Sequence, residues 1–279
     1  MAGERFDRRQ HQVEMSIMPR NERLNRILEL VSKRGAVDVE MVATQLGISA
    51  ATARRDFDEL ATRQLAIRTH GGISAVGKAY ELPIRYRTAK DSRGKVRIAR
   101  AAAAMVQKDY RIGLNGGTTT TALARELTVD PRLRADEGDI GLTVVTNAVN
   151  IATEMVIKPY IKIVVTGGIA RPQSYELIGS YAEAILDGLT LDIAFLGVNA
   201  IDSSFGPTAN HEGEAHIGGL MSRAAKRTIV LSTADKVGKQ AFSRICRPEE
   251  VSALMVDEPL TPEIQQGFLD AGIEVIVCE

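Results

Sequence analysis

Asn115-Gly116-Gly117-Thr118-Thr119-Thr120-Thr121 is the segment whose residue types and spacing best suit ligand chemistry. It follows the short apolar run 111–114 and precedes the helix-forming stretch ALAREL, so it sits at a strand-to-helix turn. Two glycines let the backbone approach a ligand, a helix start offers unpaired N–H groups, and threonines add hydroxyls, which together suit a phosphate. The same residues also fit a tight turn capped by threonine, and this loop alone does not separate the two. It is neither a Walker A loop nor a GxGxxG fingerprint, which argues against a nucleotide.

Four more polar loops follow apolar runs. They hold Thr146-Asn147-Ala148, then Gly167-Gly168, then Asn199, Asp202 and Gly206 leading to Asn210, Glu212 and Glu214, and finally Asp235-Lys236. Each alone fits an Asx turn or a glycine bend. Five such loops on one sheet edge fit a small polar ligand, and backbone amides with Lys236 and carboxylates suit a phosphorylated polyol. The segment from His211 to His216 is not HExxH, because histidines five apart do not share a helix face, so it reads as a solvated loop and helix start. No Ser/His/Asp arrangement or G-x-S-x-G elbow occurs, and no metal, cofactor or catalytic residue is assigned.

A second constellation lies nearer the N-terminus. At about 100° per residue, Ala53, Phe57, Leu60 and Ala61 share one face of a helix, while Ala51, Thr52, Arg55 and Glu59 face away with Arg54 on the flank. Arg55 can fork onto guanine O6/N7, Ala51 and Thr52 permit close approach, and Arg54 can hold a phosphate. Ser49 caps the helix, and Arg68 and His70, further on, can reach an adjacent groove or phosphate. An isolated helix of this kind would read as a solvated face with an Arg54–Asp58 ion pair. Its surroundings favour DNA binding.

Those surroundings are two more helices and a hairpin. Leu24, Ile27, Leu28 and Val31 have helical spacing, closed by Lys33-Arg34-Gly35, and Asp38 caps a short helix that Gly47 ends. Residues 65–69 and 73–75 flank His70-Gly71-Gly72 as a hairpin, completing a winged helix-turn-helix. Charge agrees: residues 1–100 hold 20 Lys/Arg against 12 Asp/Glu, whereas 101–279 hold 15 against 23. A basic head on an acidic body suits nucleic acid on one side and another task on the other.

The 279 residues suit two domains. We expect an arm without order over 1–19, the winged helix-turn-helix over 20–75, a linker over 76–92 and an α/β domain over 93–279. The α/β domain has a helix from Ser92 and apolar runs at 111–114, 142–146, 161–166, 191–198, 228–232, 252–256 and 273–277, spaced for a largely parallel sheet with helices on both faces. Residues 128–141 read as an exposed insertion. Two cysteines, Cys246 and Cys278, exclude a disulfide framework and read as buried packing residues. No membrane-length apolar run or signal-peptide pattern is present, so a soluble cytoplasmic protein is expected.

Across about 20–279 the chain resembles the DeoR family of bacterial transcriptional regulators. The motifs are Thr52-Ala53-Arg54-Arg55-Asp56-Phe57, Arg68-Thr69-His70-Gly71-Gly72, Gly116-Gly117-Thr118-Thr119-Thr120, Thr146-Asn147-Ala148, Thr166-Gly167-Gly168, Phe195-Leu196-Gly197-Val198, Glu214-Ala215 and Lys236. The resemblance implies a sensor domain similar to ribose-5-phosphate isomerase, a sugar-phosphate effector, operator DNA as partner, and a homodimeric or homotetrameric repressor of carbohydrate use. Asn115 stands where the family commonly has aspartate, Gly218 where it often has lysine, and Ser232-Thr233-Ala234-Asp235-Lys236 where it has Ala-Asp-Ser-Ser-Lys, which points to a distinct effector. The rival class is a sugar-phosphate isomerase with an accessory head, for which Glu214 or Asp202 would be the base.

Overall fold

Leu24, Ile27, Leu28 and Val31 are each 2% exposed or less and form the buried face of α1 (Arg20–Arg34). Gly35 ends that helix at φ +77° and donates its N–H to Val31 O. These features belong to a computed structural model describing residues 18–63, 65–75, 92–134 and 139–279. Residues 1–17 of the expected arm and 76–91 of the expected linker lie outside the described residues. Two compact units divide the chain, Met1–Leu82 and Pro83–Glu279.

In the first unit, β1 (Ala36–Asp38) leads into α2 (Val39–Leu46), whose N-cap Asp38 accepts the Met41 N–H at 2.7 Å. Gly47 closes α2 in the left-handed conformation, and Ser49 opens α3 (Ala50–Thr62). The wing is β2 (Ile67–Thr69) and β3 (Gly72–Ser74), and β1 joins it in an antiparallel sheet of order β1-β3-β2. Sequence periodicity does not reveal β1, because three residues with one buried side chain carry no legible alternation. Gly72 is the position that lets β1 dock, since a Cβ there would overlap the Val37 carbonyl oxygen.

The second unit begins with α4 (Ser92–Ala104), β4 (Arg111–Leu114), α5 (Thr118–Val129), β5 (Leu142–Thr146), α6 (Val149–Met155) and β6 (Ile161–Val165). A hairpin of β7 (Ile169–Arg171) and β8 (Glu176–Ile178) precedes α7 (Ser180–Leu186) and β9 (Leu191–Gly197). There follow β10 (Ala200–Asp202), β11 (Gly206–Ala209), α8 (Glu212–Ala224), β12 (Ala225–Ser232), β13 (Ser243–Arg244), β14 (Ala253–Val256), α9 (Pro262–Asp270) and β15 (Glu274–Val277). All seven expected apolar runs become strands of one sheet, of order β15-β14-β12-β9-β4-β5-β6 with every neighbour parallel. The hairpin and the small sheet β10-β11-β13 come from segments that read as loops.

Alternation along β9 explains why these strands are apolar throughout. Ile193 and Phe195 join Ile98, Ala102, Leu123, Leu127 and Ile151 of α4, α5 and α6 on one face. Ala194 and Leu196 join Leu186, Ile217, Met221 and Phe268 of α7, α8 and α9 on the other. A strand covered on both sides needs apolar residues at every position. Cys246 and Cys278 are buried as expected. Within the segment read as an insertion, residues 135–138 lie outside the described residues; Val129, Arg134 and Ile140 are exposed, while Leu133 follows α5 in a short 3-10 turn and is fully buried.

The sheet is locked at its N-terminal edge. Asp192 accepts Lys226 Nζ at 2.8 Å and the Arg111 backbone N–H at 2.9 Å. Burial pushes the Asp192 carboxyl upward, but hydrogen bonds from Lys226 and from the Arg111 backbone and guanidinium outweigh it and hold it at about 2. At the opposite edge the strand order reverses, with β5 and β6 on one side of β4 and β9 on the other. Such a switch point opens a crevice at the strand C-termini, and the five polar loops lie on that edge.

Candidate functional site

The α3 cap and packing match the helical reading. Ser49 Oγ accepts the Thr52 N–H at 3.1 Å and lies 2.8 Å from the Thr52 hydroxyl. Ala53, Phe57 and Leu60 are fully buried and Ala61 is half-buried, while Ala51, Arg54 and Arg55 are exposed and Thr52 is partly so. Arg55 only reaches back along its own helix, from Nε to Ala51 O at 3.3 Å. His70 is exposed at the wing turn.

The ion pair of the solvated-face alternative does not form. Asp58 pairs at 2.8 Å with Arg68, not with Arg54. Arg68 also donates to Gly72 O and lies over the Phe57 ring, 5.4 Å from its centroid. Its guanidinium therefore fastens the wing to α3, a role that competes with the groove or phosphate contact expected of it. Asp56, part of the family motif but given no role from the sequence, is 2% exposed and forks onto Arg23 through bonds of 2.5 and 3.0 Å. That hydrogen bond raises the Arg23 guanidinium above its ordinary range and ties α1 to α3.

In the second unit several candidate ligand contacts also make hydrogen bonds within the fold. Asn115 is buried beside the switch point, where its Nδ2 donates to Gly197 O at 2.9 Å and its Oδ1 accepts the Gly197 N–H at 2.8 Å. An amide matches that donor-and-acceptor pair, which a carboxylate does not, so asparagine is the fitting residue here. Asn115→Asp is expected to destabilise the unit by about 1–3 kcal/mol through the lost bond and the carboxylate facing a carbonyl, read from urea unfolding; an unchanged midpoint would remove this role. Thr146 is likewise fully buried, donating to Leu114 O at 2.7 Å and accepting the Ala148 N–H. Asp202 holds the β10–β11 turn, and hydrogen bonds led by the Ser204 hydroxyl keep its carboxyl below the usual range. Asn199 accepts the Asn210 N–H at 3.0 Å. These four side chains are thus each engaged in hydrogen bonds within the unit.

The other candidates surround the start of α5. Gly117 is its N-cap at φ +141° and gives no side-chain cap, while the Thr120 and Thr121 hydroxyls turn back to Gly117 O. Thr119, Thr120 and Thr121 are buried and Thr118 is partly open. Lys236 reaches across from the end of β12, its Nζ 2.7 Å from Val198 O. Asn147 is fully buried with Nδ2 on Leu177 O, and its Oδ1 and that of Asn150 are buried without a hydrogen-bond partner. Gly168 shapes the hairpin, because a Cβ there would press on Ile178 O at 2.7 Å, whereas at Gly167 a Cβ would only touch Ile185 Cδ1 at 4.0 Å and the constraint is its φ of +71°.

The hairpin adds two residues that the sequence did not suggest. Glu176 is 3% exposed and accepts the Gly116 N–H, and a Cβ at Gly116 would overlap its carboxyl. Arg171 pairs with Glu214 on α8 at 3.0 Å. No signal in the sequence marks them, because the hairpin that delivers them is itself not legible. His211 caps α8 through Nδ1, 3.1 Å from the Gly213 N. Gly218 packs against Ile245, where a Cβ would lie 2.9 Å from Cγ2, so this position has no room for a lysine.

A winged helix together with an α/β body built around a switch-point crevice defines a regulator that couples a DNA-binding head to a sensor. The chain belongs to the DeoR family of transcriptional regulators: residues 23–78 match the DeoR-like helix-turn-helix domain and residues 90–258 the DeoR C terminal sensor domain. It is 31% identical over 258 residues to the HTH-type transcriptional regulator GlpR of Haloferax volcanii, covering 91% of this chain and 96% of that one. It is 29% identical over 260 residues to the putative aga operon transcriptional repressor of Escherichia coli O157:H7, covering 92% and 93%. To the glycerol-3-phosphate regulon repressor of Escherichia coli K12 it is 27% identical, covering 94% and 100%. Among solved structures it is similar to ribose 5-phosphate isomerase A of Methanocaldococcus jannaschii, at 20% identity and TM-score 0.37, over 51% of this chain and 53% of that one. The protein is a DNA-binding transcriptional regulator and not an enzyme, as its relatives are named regulators and repressors. No helix among the described residues is long and apolar enough to cross a membrane.

Proposed function

We propose that this regulator represses a carbohydrate-use operon in the cytoplasm and leaves its operator when a sugar phosphate occupies the switch-point crevice. Residues 20–75 are the DNA-binding head and 93–279 the sensor. Ser49, Ala51, Thr52, Arg54, Arg55 and His70 face the duplex, and a homodimer or homotetramer sets two copies of α3 about 34–36 Å apart in successive major grooves. The observation that carries the effector half is the start of α5, an N-terminus without a side-chain cap beside a glycine pair and Lys236. Two relatives support it, one named as a repressor of an aga operon and another as the repressor of a glycerol-3-phosphate regulon.

Effector binding acts on DNA only through its differential affinity for the two arrangements, and a coupling of about 1–3 kcal/mol changes operator affinity roughly 5- to 150-fold. The test is thermal unfolding of the full chain with triose, pentose and hexose phosphates beside the same sugars without phosphate. A rise in Tm with one or more phosphates and with none of the free sugars is expected; a rise with the free sugars alone would overturn the effector class. Lys236→Ala is expected to move the effector dose curve to higher concentration without changing operator affinity. An unaltered curve would remove Lys236 from the site.

A further inference from the structure

Glu176 gives the crevice a carboxylate of its own at the place where an anion would bind. Its side chain is 3% exposed and takes the Gly116 N–H, the amide that leads into the start of α5. A helix N-terminus attracts negative charge, and here the carboxyl that stands beside it belongs to the chain itself. The hairpin that carries it is fastened at several points. Leu177 N donates to Asn147 O at 2.7 Å, Val149 N donates to Tyr175 O at 2.9 Å, and Arg171 reaches Glu214 at 3.0 Å. Tyr175, just before Glu176, has φ +60°, a left-handed conformation that costs a non-glycine residue energy and that the hairpin must hold in place.

Two more observations point to a ligand at this spot. Asn147 Oδ1 and Asn150 Oδ1 are buried and accept no hydrogen bond. Their amide nitrogens lead to the same neighbours: Asn147 Nδ2 is fixed on Leu177 O, next to Glu176, and Asn150 Nδ2 on the Thr121 hydroxyl, which itself donates to Gly117 O. Buried acceptors without partners are costly, and a polyhydroxylated ligand brings the hydroxyl donors they lack.

We propose that Glu176 is an internal competitor for the effector's anionic group, and that a phosphate enters the crevice by displacing it from the Gly116 N–H and loosening the hairpin β7–β8. This rests on the reading of the crevice as an anionic-effector site. Glu176 then sets the concentration at which the effector acts: the charge it contributes must be moved before another of the same sign can take its place. A neutral acceptor of the same shape would be displaced more easily, because a hydrogen bond to a charged group is stronger than one to an amide.

The experiment is calorimetric titration of inorganic phosphate into the full chain and into Glu176→Gln. Binding about 10-fold tighter in Glu176→Gln is expected, from the difference between charged and neutral hydrogen bonds. Equal or weaker binding in a variant that does bind phosphate overturns the competitor role and leaves the anionic-effector reading standing. Phosphate binding by neither protein overturns both. Amide exchange on the wild-type chain tests the movement independently of any variant. Phosphate is expected to speed exchange at Leu177 and Val149, and unchanged or slower exchange there with phosphate bound contradicts displacement of the hairpin.

Discussion

Arg55→Ala is expected to weaken operator binding by about 1–3 kcal/mol per half-site, roughly 5- to 150-fold, while the protein stays folded. The reason lies in what Arg55 touches. Its side chain is exposed and bonds only to Ala51 O on its own helix, so truncation removes no contact between elements. Exposed substitutions of this kind change stability by no more than about 0.5 kcal/mol. Arg54→Ala is the internal comparison: a phosphate contact carries no sequence information, so its loss lowers affinity for every duplex alike and reduces the salt slope by about 1. Fluorescence anisotropy on the operator and on a shuffled duplex separates the two. An Arg55→Ala protein that is folded and keeps the wild-type preference for the operator would show that α3 does not read bases through this residue.

Asp56→Ala is expected to have the larger effect on stability, about 3–5 kcal/mol, because it leaves the Arg23 guanidinium without its carboxylate in a largely buried position. A loss of that size approaches the whole stability of a small domain. The prediction is distinctive in its second arm. Replacing both partners, Arg23→Met with Asp56→Leu, removes the charge as well as its counter-charge and is expected to recover most of the loss. Circular dichroism during urea unfolding reads both. If Asp56→Ala and the double variant unfold at the wild-type midpoint, the pair does not hold α1 to α3. DNA binding by the double variant then tells whether the pair acts only through the fold.

The two arginines and the aspartate of one short motif take separate places, Arg54 and Arg55 exposed and Asp56 buried on Arg23, and the sequence shows some of these better than others. Periodicity placed Ala53, Phe57 and Leu60 on the buried face and left Arg54 and Arg55 outside. Asp56 falls within about 60° of Ala53 on the helical projection, at the edge of the buried face. Its partner, 33 residues earlier, is invisible to any local pattern. The seven strands of the sheet were legible because each is buried on both faces and so is apolar without interruption. Strands of two or three residues, such as β1, β7, β8 and β13, have too few positions for alternation to register.

The same limit governs the crevice. Polar residues after the strands lie on the C-terminal edge of the sheet, but a polar residue in a loop has two uses that look alike in sequence. Asn115 and Thr146 bond to neighbouring strands, Asn115 to a glycine 82 positions away, and which strands adjoin is a property of the topology. Glu176 and Arg171 show the converse, since two charged residues in an unremarkable stretch are carried by a hairpin to the Gly116 N–H and to Glu214. The glycine pair and Lys236 were legible because their chemistry is suggestive wherever they are placed.

The most direct measurement is the anisotropy of a labelled duplex from upstream of the protein's own gene, titrated with the full chain at several salt concentrations beside a shuffled duplex of equal composition. Binding to the upstream duplex about 10³-fold or more tighter than to the shuffled one is expected, with both affinities falling as salt rises. Equal affinity for the two, there and on the adjoining promoters, would contradict sequence recognition by the winged helix.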